Sequence, residues 1–112
     1  MDFPKSARVR TRAEYLRFFE GSEVIRLGAC TLFRVPSKTD EARVGMTIKA
    51  RVNSVYRNKI KRQIRETFRE ARGALAPFDY NVVVPGSIKV DHRAVKTIRK
   101  QLLKGWANVK RA

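Results

Sequence analysis

Arg57-Asn58-Lys59-Ile60-Lys61-Arg62-Gln63-Ile64-Arg65-Glu66-Thr67-Phe68-Arg69-Glu70-Ala71-Arg72 lays an apolar stripe beside a basic one. Placed at about 100° per residue, Ile60, Ile64, Phe68 and Ala71 share one face, and that face needs a core to lie on. Arg57, Lys61, Arg65 and Arg72 recur three and four residues apart on the adjacent face, and Asn58, Arg62 and Arg69 widen that strip. Glu66 and Glu70 fall on the far side with Lys59 and Gln63. The positive charge is therefore sorted as well as abundant.

Residues 49–72 hold nine Lys and Arg against two acids, and no acid occurs from Lys49 through Arg65. Arg57 and Lys59 crowd the first turns, where the helix dipole disfavours a cation by about 0.3–1 kcal/mol. A solvated helix normally intersperses its charges and puts Asp or Glu there. This helix gives up local stability to present cations, as expected of a binding site. Its arginines suit phosphate, which their planar fork grips with two hydrogen bonds.

Outward from this helix, the segments read as follows. Residues 1–12 are expected to be extended and basic, with Lys5, Arg8, Arg10 and Arg12. Thr11 is placed to cap a short helix carrying Tyr15, Leu16, Phe18 and Phe19, stopped near Gly21. Ala29 to Val35 predicts a strand, Pro36 to Asp40 a turn, and the alternation of Val44, Met46 and Ile48 a second strand over 43–49. Asn53 or Ser54 caps the basic helix, which runs to about Arg72 before Gly73. Asp79 to Val84 predicts a buried strand ended by Pro85-Gly86. A last helix begins near Asp91, with Val95, Ile98, Leu102 and Leu103 facing inward. The order helix, two strands, helix, strand, helix predicts a mixed sheet packed against helices.

At 112 residues the chain is read as one domain, 1–112. With 26 Lys and Arg against 10 Asp and Glu, its net charge of +16 repels itself, a cost that attraction to a polyanion offsets. The lone Cys30 has no internal disulfide partner and reads as a small buried strand residue. The N-terminus lacks an apolar signal region and no stretch approaches a membrane span, so a cytoplasmic location is expected. An autonomous nuclease needs clustered carboxylates, a general base or an activated nucleophile. His92, the single histidine, falls at a helix start, Asp40-Glu41 is a loop pair, and Asp2, Asp79 and Asp91 lie far apart. No catalytic residue and no metal-ligand spacing is assigned to the chain.

Arg57 to Arg69 resembles the arginine-asparagine-arginine signature of the protein subunit of bacterial ribonuclease P. The resemblance extends over about residues 3–105, through Phe3-Pro4-Lys5, Arg8-Val9-Arg10, Glu14-Tyr15, Phe19, Arg43 to Ile48 and Asp79 to Val84. Two departures stand out: Arg51 to Val55 is one residue short and lacks the family's usual glycine, and Lys59 replaces a frequent arginine. The resemblance implies an α/β (α+β) single-domain sandwich with a left-handed βαβ crossover, against the usual right-handed preference. It implies a ribonucleoprotein that cleaves the 5′ leader from precursor tRNA, with the chemistry in the RNA subunit and its Mg²⁺. The implied partners are that RNA and the precursor tRNA, with no membrane and no protein partner. Arg57, Asn58, Lys61, Arg62, Arg65 and Arg69 match the face expected to contact the RNA subunit. Tyr15, Phe19 and Phe33 match the aromatic lining of the leader cleft, where unpaired bases stack. A structural RNA-binding protein, such as a small ribosomal component, would share the charge and the cleft but not the long signature.

Overall fold

A computed structural model describes residues 5–110; the Phe3-Pro4 part of the resemblance lies outside them. A helix α1 (Arg12–Leu16) opens the fold, continued by a 3₁₀ turn at Arg17–Phe19. Strands β1 (Glu23–Arg26), β2 (Thr31–Pro36) and β3 (Arg43–Ile48) lead into α2 (Ser54–Ala71), then β4 (Phe78–Val84) and α3 (His92–Asn108). The four strands form one sheet in the order β1-β2-β4-β3. β1 pairs antiparallel with β2 and β2 with β4, whereas β3 and β4 are parallel neighbours joined through α2. A parallel pair cannot be closed by a hairpin, and α2 is the crossover that closes this one.

Cross-strand partners share a face, so the register sorts the sheet into two sides. Leu32, Val82 and Met46 align, as do Arg34, Tyr80 and Val44, and Val84 aligns with Ile48. Their side of the sheet meets α2 and α3 in a core of Leu32, Val44, Tyr80, Val82 and Val84 with Ile60, Ile64, Phe68, Ile98, Leu102 and Trp106. Its centre is an aromatic trio: Trp106 lies edge-on to Phe68 at 5.3 Å and to Tyr80 at 5.5 Å between ring centroids. The Trp106 indole N–H donates to the Thr67 hydroxyl at 3.0 Å, and that hydroxyl donates to the Gln63 carbonyl at 2.7 Å. A polar residue thus enters the apolar face of α2 with its hydrogen bonds satisfied.

The helices α2 and α3 run parallel. Tyr56 meets His92 at one end, Arg99 donates to Gln63 midway, and Thr67 meets Trp106 further along. The opposite side of the sheet carries Phe33, Asn81 and Gly45, then Val35, Asp79 and Arg43. Among the described residues, α1, its 3₁₀ turn and the segment before it at Val9 cover this side, through a small cluster of Val9, Phe18 and Val35 with Tyr15 and Phe33.

Four expectations are corrected. Residues 1–12 are not extended throughout: Lys5–Ala7 is a 3₁₀ turn, and Arg8 bridges to Val44 at the edge of β3. β1 was absent from the predicted order; its residues alternate weakly, three of four being exposed. Leu103 is 43% exposed, because Gly105 and Trp106 fill the inward positions of that turn. Arg72 lies beyond the end of α2 and turns inward, donating to the carbonyls of Ala42 and Ser6 and to the Glu41 carboxylate, each at 3.0 Å.

Candidate nucleic-acid interface

The helix α2 starts where the Asn53 side chain accepts the Tyr56 N–H at 3.0 Å, and its first turn holds no acid. Asn58, Arg62, Arg65 and Arg69 are exposed along it, and Arg57 and Lys61 are half-buried at the inner margin. Arg57 makes a long 3.5 Å contact to the Ile48 carbonyl. Arg62 is ion-paired with Glu66 one turn on, at 2.8 Å, yet its side chain remains 75% exposed. Among the described residues, Arg57, Lys61, Arg65 and Arg69 form no ion pair. Arg72, counted on this strip from spacing, is spent on the Ala42 and Ser6 carbonyls.

Beside the strip runs an open cleft of about 200 Å³, where Lys61 and Arg65 face Tyr15, Arg8, Gly45 and Met46. The outer edge of β3 forms its floor and is partly satisfied: Val9 N–H donates to the Val44 carbonyl at 2.9 Å, and Met46 N–H to the Tyr15 hydroxyl at 3.1 Å. Tyr15 lies so close over Gly45 that a Cβ there would stand 2.6 Å from its hydroxyl oxygen. The glycine lets the ring lie against the strand.

A second hollow, about 130 Å³, opens on the part of the sheet that α1 leaves bare. Phe19 stands at its rim, 85% exposed, while Phe33, Thr47, Asn81, Val83 and Lys49 line it. The Thr47 hydroxyl donates to the Asn81 side-chain oxygen at 3.3 Å. The three aromatic candidates are thus divided: Phe19 and Phe33 share this hollow, whereas Tyr15 belongs to the cleft with Lys61 and Arg65. The two hollows adjoin along β3, the first touching Gly45 and Met46, the second Thr47 and Lys49. Spacing had not singled out Lys49, Thr47 or Asn81. The available signal was the period-2 alternation of β3, which puts Thr47 on the side opposite Met46 and Ile48.

What holds α1 in place is charge. Asp79, 1% exposed, accepts two hydrogen bonds from Arg43 (2.8 and 2.6 Å) and one from Arg17 (2.9 Å). Arg43 also reaches Glu14, whose carboxylate accepts the N–H groups of Thr11 and Arg10. Those backbone donors, the Thr11 one foremost, and the Arg43 guanidinium hold the Glu14 carboxyl down at about 2. Arg17 further donates to the Pro36 carbonyl. These bonds fix the short helix, and with it Tyr15, Phe18 and Phe19.

The groups suited to catalysis are placed otherwise. Cys30 is fully buried, and burial pushes its thiol up to about 11, so it stays protonated at neutral pH. His92 is the exposed first residue of α3, its ring edge-on to Tyr56 at 5.6 Å. Among the described residues no group of three or more His, Cys, Asp or Glu is gathered to hold a metal ion, and no helix is long and apolar enough to cross a membrane.

Comparison with known proteins adds a second line of observation. The residue pattern of the Ribonuclease P family matches residues 3–110. The ribonuclease P protein component of Citrifermentans bemidjiense is 33% identical over 98 residues, covering 86% of this chain and 84% of its own. That of Thioalkalivibrio sulfidiphilus is 33% identical over 109 residues, covering 96% and 89%. Among solved structures, the RNase P protein from Thermotoga maritima, in complex with 1-(4-fluorophenyl)-2-thiourea, superposes with a TM-score of 0.76 at 25% identity, over 92% of this chain and all of that one. A Staphylococcus aureus RNase P protein mutant shares the fold with a TM-score of 0.77 at 23% identity, covering 94% and 91%.

Proposed function

The chain belongs to the ribonuclease P protein family, and from that premise we propose that it grips a catalytic RNA with α2 and receives the 5′ leader of precursor tRNA across β3. The observation that carries this reading is the adjacency along β3 of cations without ion-pair partners and of two aromatic rings, one exposed and one half-buried. Lys61 and Arg65 flank one hollow, Phe19 and Phe33 the next. Cations satisfy phosphates, and the rings offer π-faces to unpaired bases, a combination suited to a strand leaving a folded RNA. The Asn58, Arg62, Arg65 and Arg69 side, turned outward, is assigned to the RNA subunit; Tyr15, with its ring over Gly45, guides the strand between the two surfaces.

Mg²⁺ is assigned to the RNA. It would supply charge stabilisation at the scissile phosphate, and the described residues gather no cluster of three or more His, Cys, Asp or Glu to hold it. This chain contributes binding and orientation, and the proposed compartment is the cytoplasm. The reading of the chain as a ribosomal structural component is not favoured, because the family pattern spans nearly the whole chain.

The test is reconstitution with a bacterial ribonuclease P RNA at low Mg²⁺, reading cleavage of precursor tRNA. Stimulation over RNA alone is expected, and its absence with a competent RNA overturns the reading. Phe19→Ala is expected to weaken binding of leader-bearing substrate by about 1–3 kcal/mol, the worth of one base stacked on an aromatic ring, and to leave leaderless tRNA unchanged. Equal loss on both substrates removes Phe19 from the leader path.

A further inference from the structure

A second cationic surface lies on α3 and is not part of the interface described above. From His92 to Asn108 this helix carries Arg93, Lys96, Arg99, Lys100 and Lys104 and no acid. Arg99 turns toward α2, 2.7 Å from the Gln63 side chain and 3.7 Å from Glu66. The other four are exposed, form no ion pair among the described residues, and recur every three or four positions down the face away from the sheet. Arg93 sits in the first turn, where the dipole disfavours it, just as Arg57 does in α2.

The two basic faces are separate. The only acids of α2, Glu66 and Glu70, stand on its side toward α3: Glu66 meets Arg99, and Glu70 borders the groove that Leu103, Trp106 and Ala107 line from the other helix. Glu66 and Glu70 thus stand between the α2 strip and the α3 row, Glu66 held between Arg62 and Arg99, and the two basic faces look out from different sides of the helix pair.

We propose that the outer face of α3 binds the sugar-phosphate backbone of an RNA duplex, so that the chain bridges two RNA elements. The chemistry of the row favours a duplex over a single strand. Single-strand binding uses aromatic platforms; along α3, Trp106 is buried with its N–H committed to Thr67, and the His92 ring, at the first position of the helix, lies edge-on to Tyr56. Three of the four cations are lysines, point charges suited to phosphate oxygens rather than forks suited to base edges. Lys96, Lys100 and Lys104 succeed one another at about 6 Å along the axis, in a nearly straight line. Duplex RNA is recognised mainly by its shape and its backbone, which such a row can follow.

The inference goes beyond the proposed function and is tested apart from it, on duplex binding rather than on cleavage. The variant Lys96→Gln/Lys100→Gln/Lys104→Gln alters only exposed side chains. Its affinity for a plain RNA duplex, measured across salt concentrations, is expected to show a log–log salt slope shallower by about 2–3, the loss of three phosphate contacts. Its slope on a single strand of equal length is expected to stay the same. The matching Lys→Arg triple variant is expected to restore the duplex slope, which a merely misfolded protein would not allow. An unchanged duplex slope, or an equal change on the single strand, overturns the proposal and leaves the row a solvated face.

Discussion

Gly45 shows how one missing side chain sets the geometry of the cleft. The Tyr15 side chain occupies the volume a Cβ would take, with its hydroxyl oxygen and two ring carbons within 3 Å of that position. In Gly45→Ala either the ring or β3 must move. Overpacking of this kind costs about 1–3 kcal/mol, and urea denaturation is expected to report a loss in that range. If α1 swings away to relieve the clash, Met46 N–H loses the Tyr15 hydroxyl, and hydrogen exchange at that amide is expected to rise. Such a dependence is invisible in a linear reading, because residues 15 and 45 meet only after the chain has folded. Arg72 teaches the same lesson. Its spacing fits the RNA-facing strip, but the carbonyls of Ala42 and Ser6 approach from distant segments and claim it.

At the scale of elements, local chemistry was legible. The period of Ile60, Ile64 and Phe68 marked the buried face of α2, all three being fully buried. Asn53 and Asp91 cap their helices, each accepting an N–H three residues on. β1 escaped notice because an edge strand of four residues with charges at both ends has little alternation to show. The sequence also marked where α2 is electrostatically frustrated, and that leads to a prediction. Asn53→Asp keeps the cap and adds a negative charge at the positive end of the dipole, worth about 0.3–1 kcal/mol of added stability. The same charge weakens the local positive field. The variant is expected to melt higher and to bind RNA less tightly, as followed by calorimetry and an RNA-binding titration. If stability and affinity rise together, the cations near Arg57 are not at the RNA surface.

Over the whole molecule, the two sides of the sheet divide the labour. One is sealed by α2 and α3 and supplies most of the apolar burial. The other is clamped at one end by the Glu14–Arg43–Asp79–Arg17 network and left bare at the other, where the aromatic hollow lies. The candidate strip was readable because it lies along one helix. The hollow was only partly readable, since Phe33, Asn81 and Thr47 come from three strands whose register no local pattern encodes. The clamp makes stability depend on acidity. Glu14 titrates near 2 in the folded chain against about 4.3 unfolded, so its contribution is complete above about pH 5 and disappears as the pH falls from about 4.5 toward 2. Other carboxylates titrate there too and raise the net charge further. Glu14→Gln is therefore expected to lower the melting temperature at pH 7 while shrinking its fall between pH 5 and pH 2.5. An unchanged fall would remove Glu14 from the acid response.

The outer edge of β3 has one more consequence. Its Val44 carbonyl takes Val9 N–H, its Met46 N–H takes the Tyr15 hydroxyl, and Arg57 leans on the Ile48 carbonyl. The sheet's other border, β1, is four residues long and begins and ends on a charge. A bare strand border is a template on which the strand of another copy can zip. Plugging one border and shortening the other leaves a second copy little open strand to pair with.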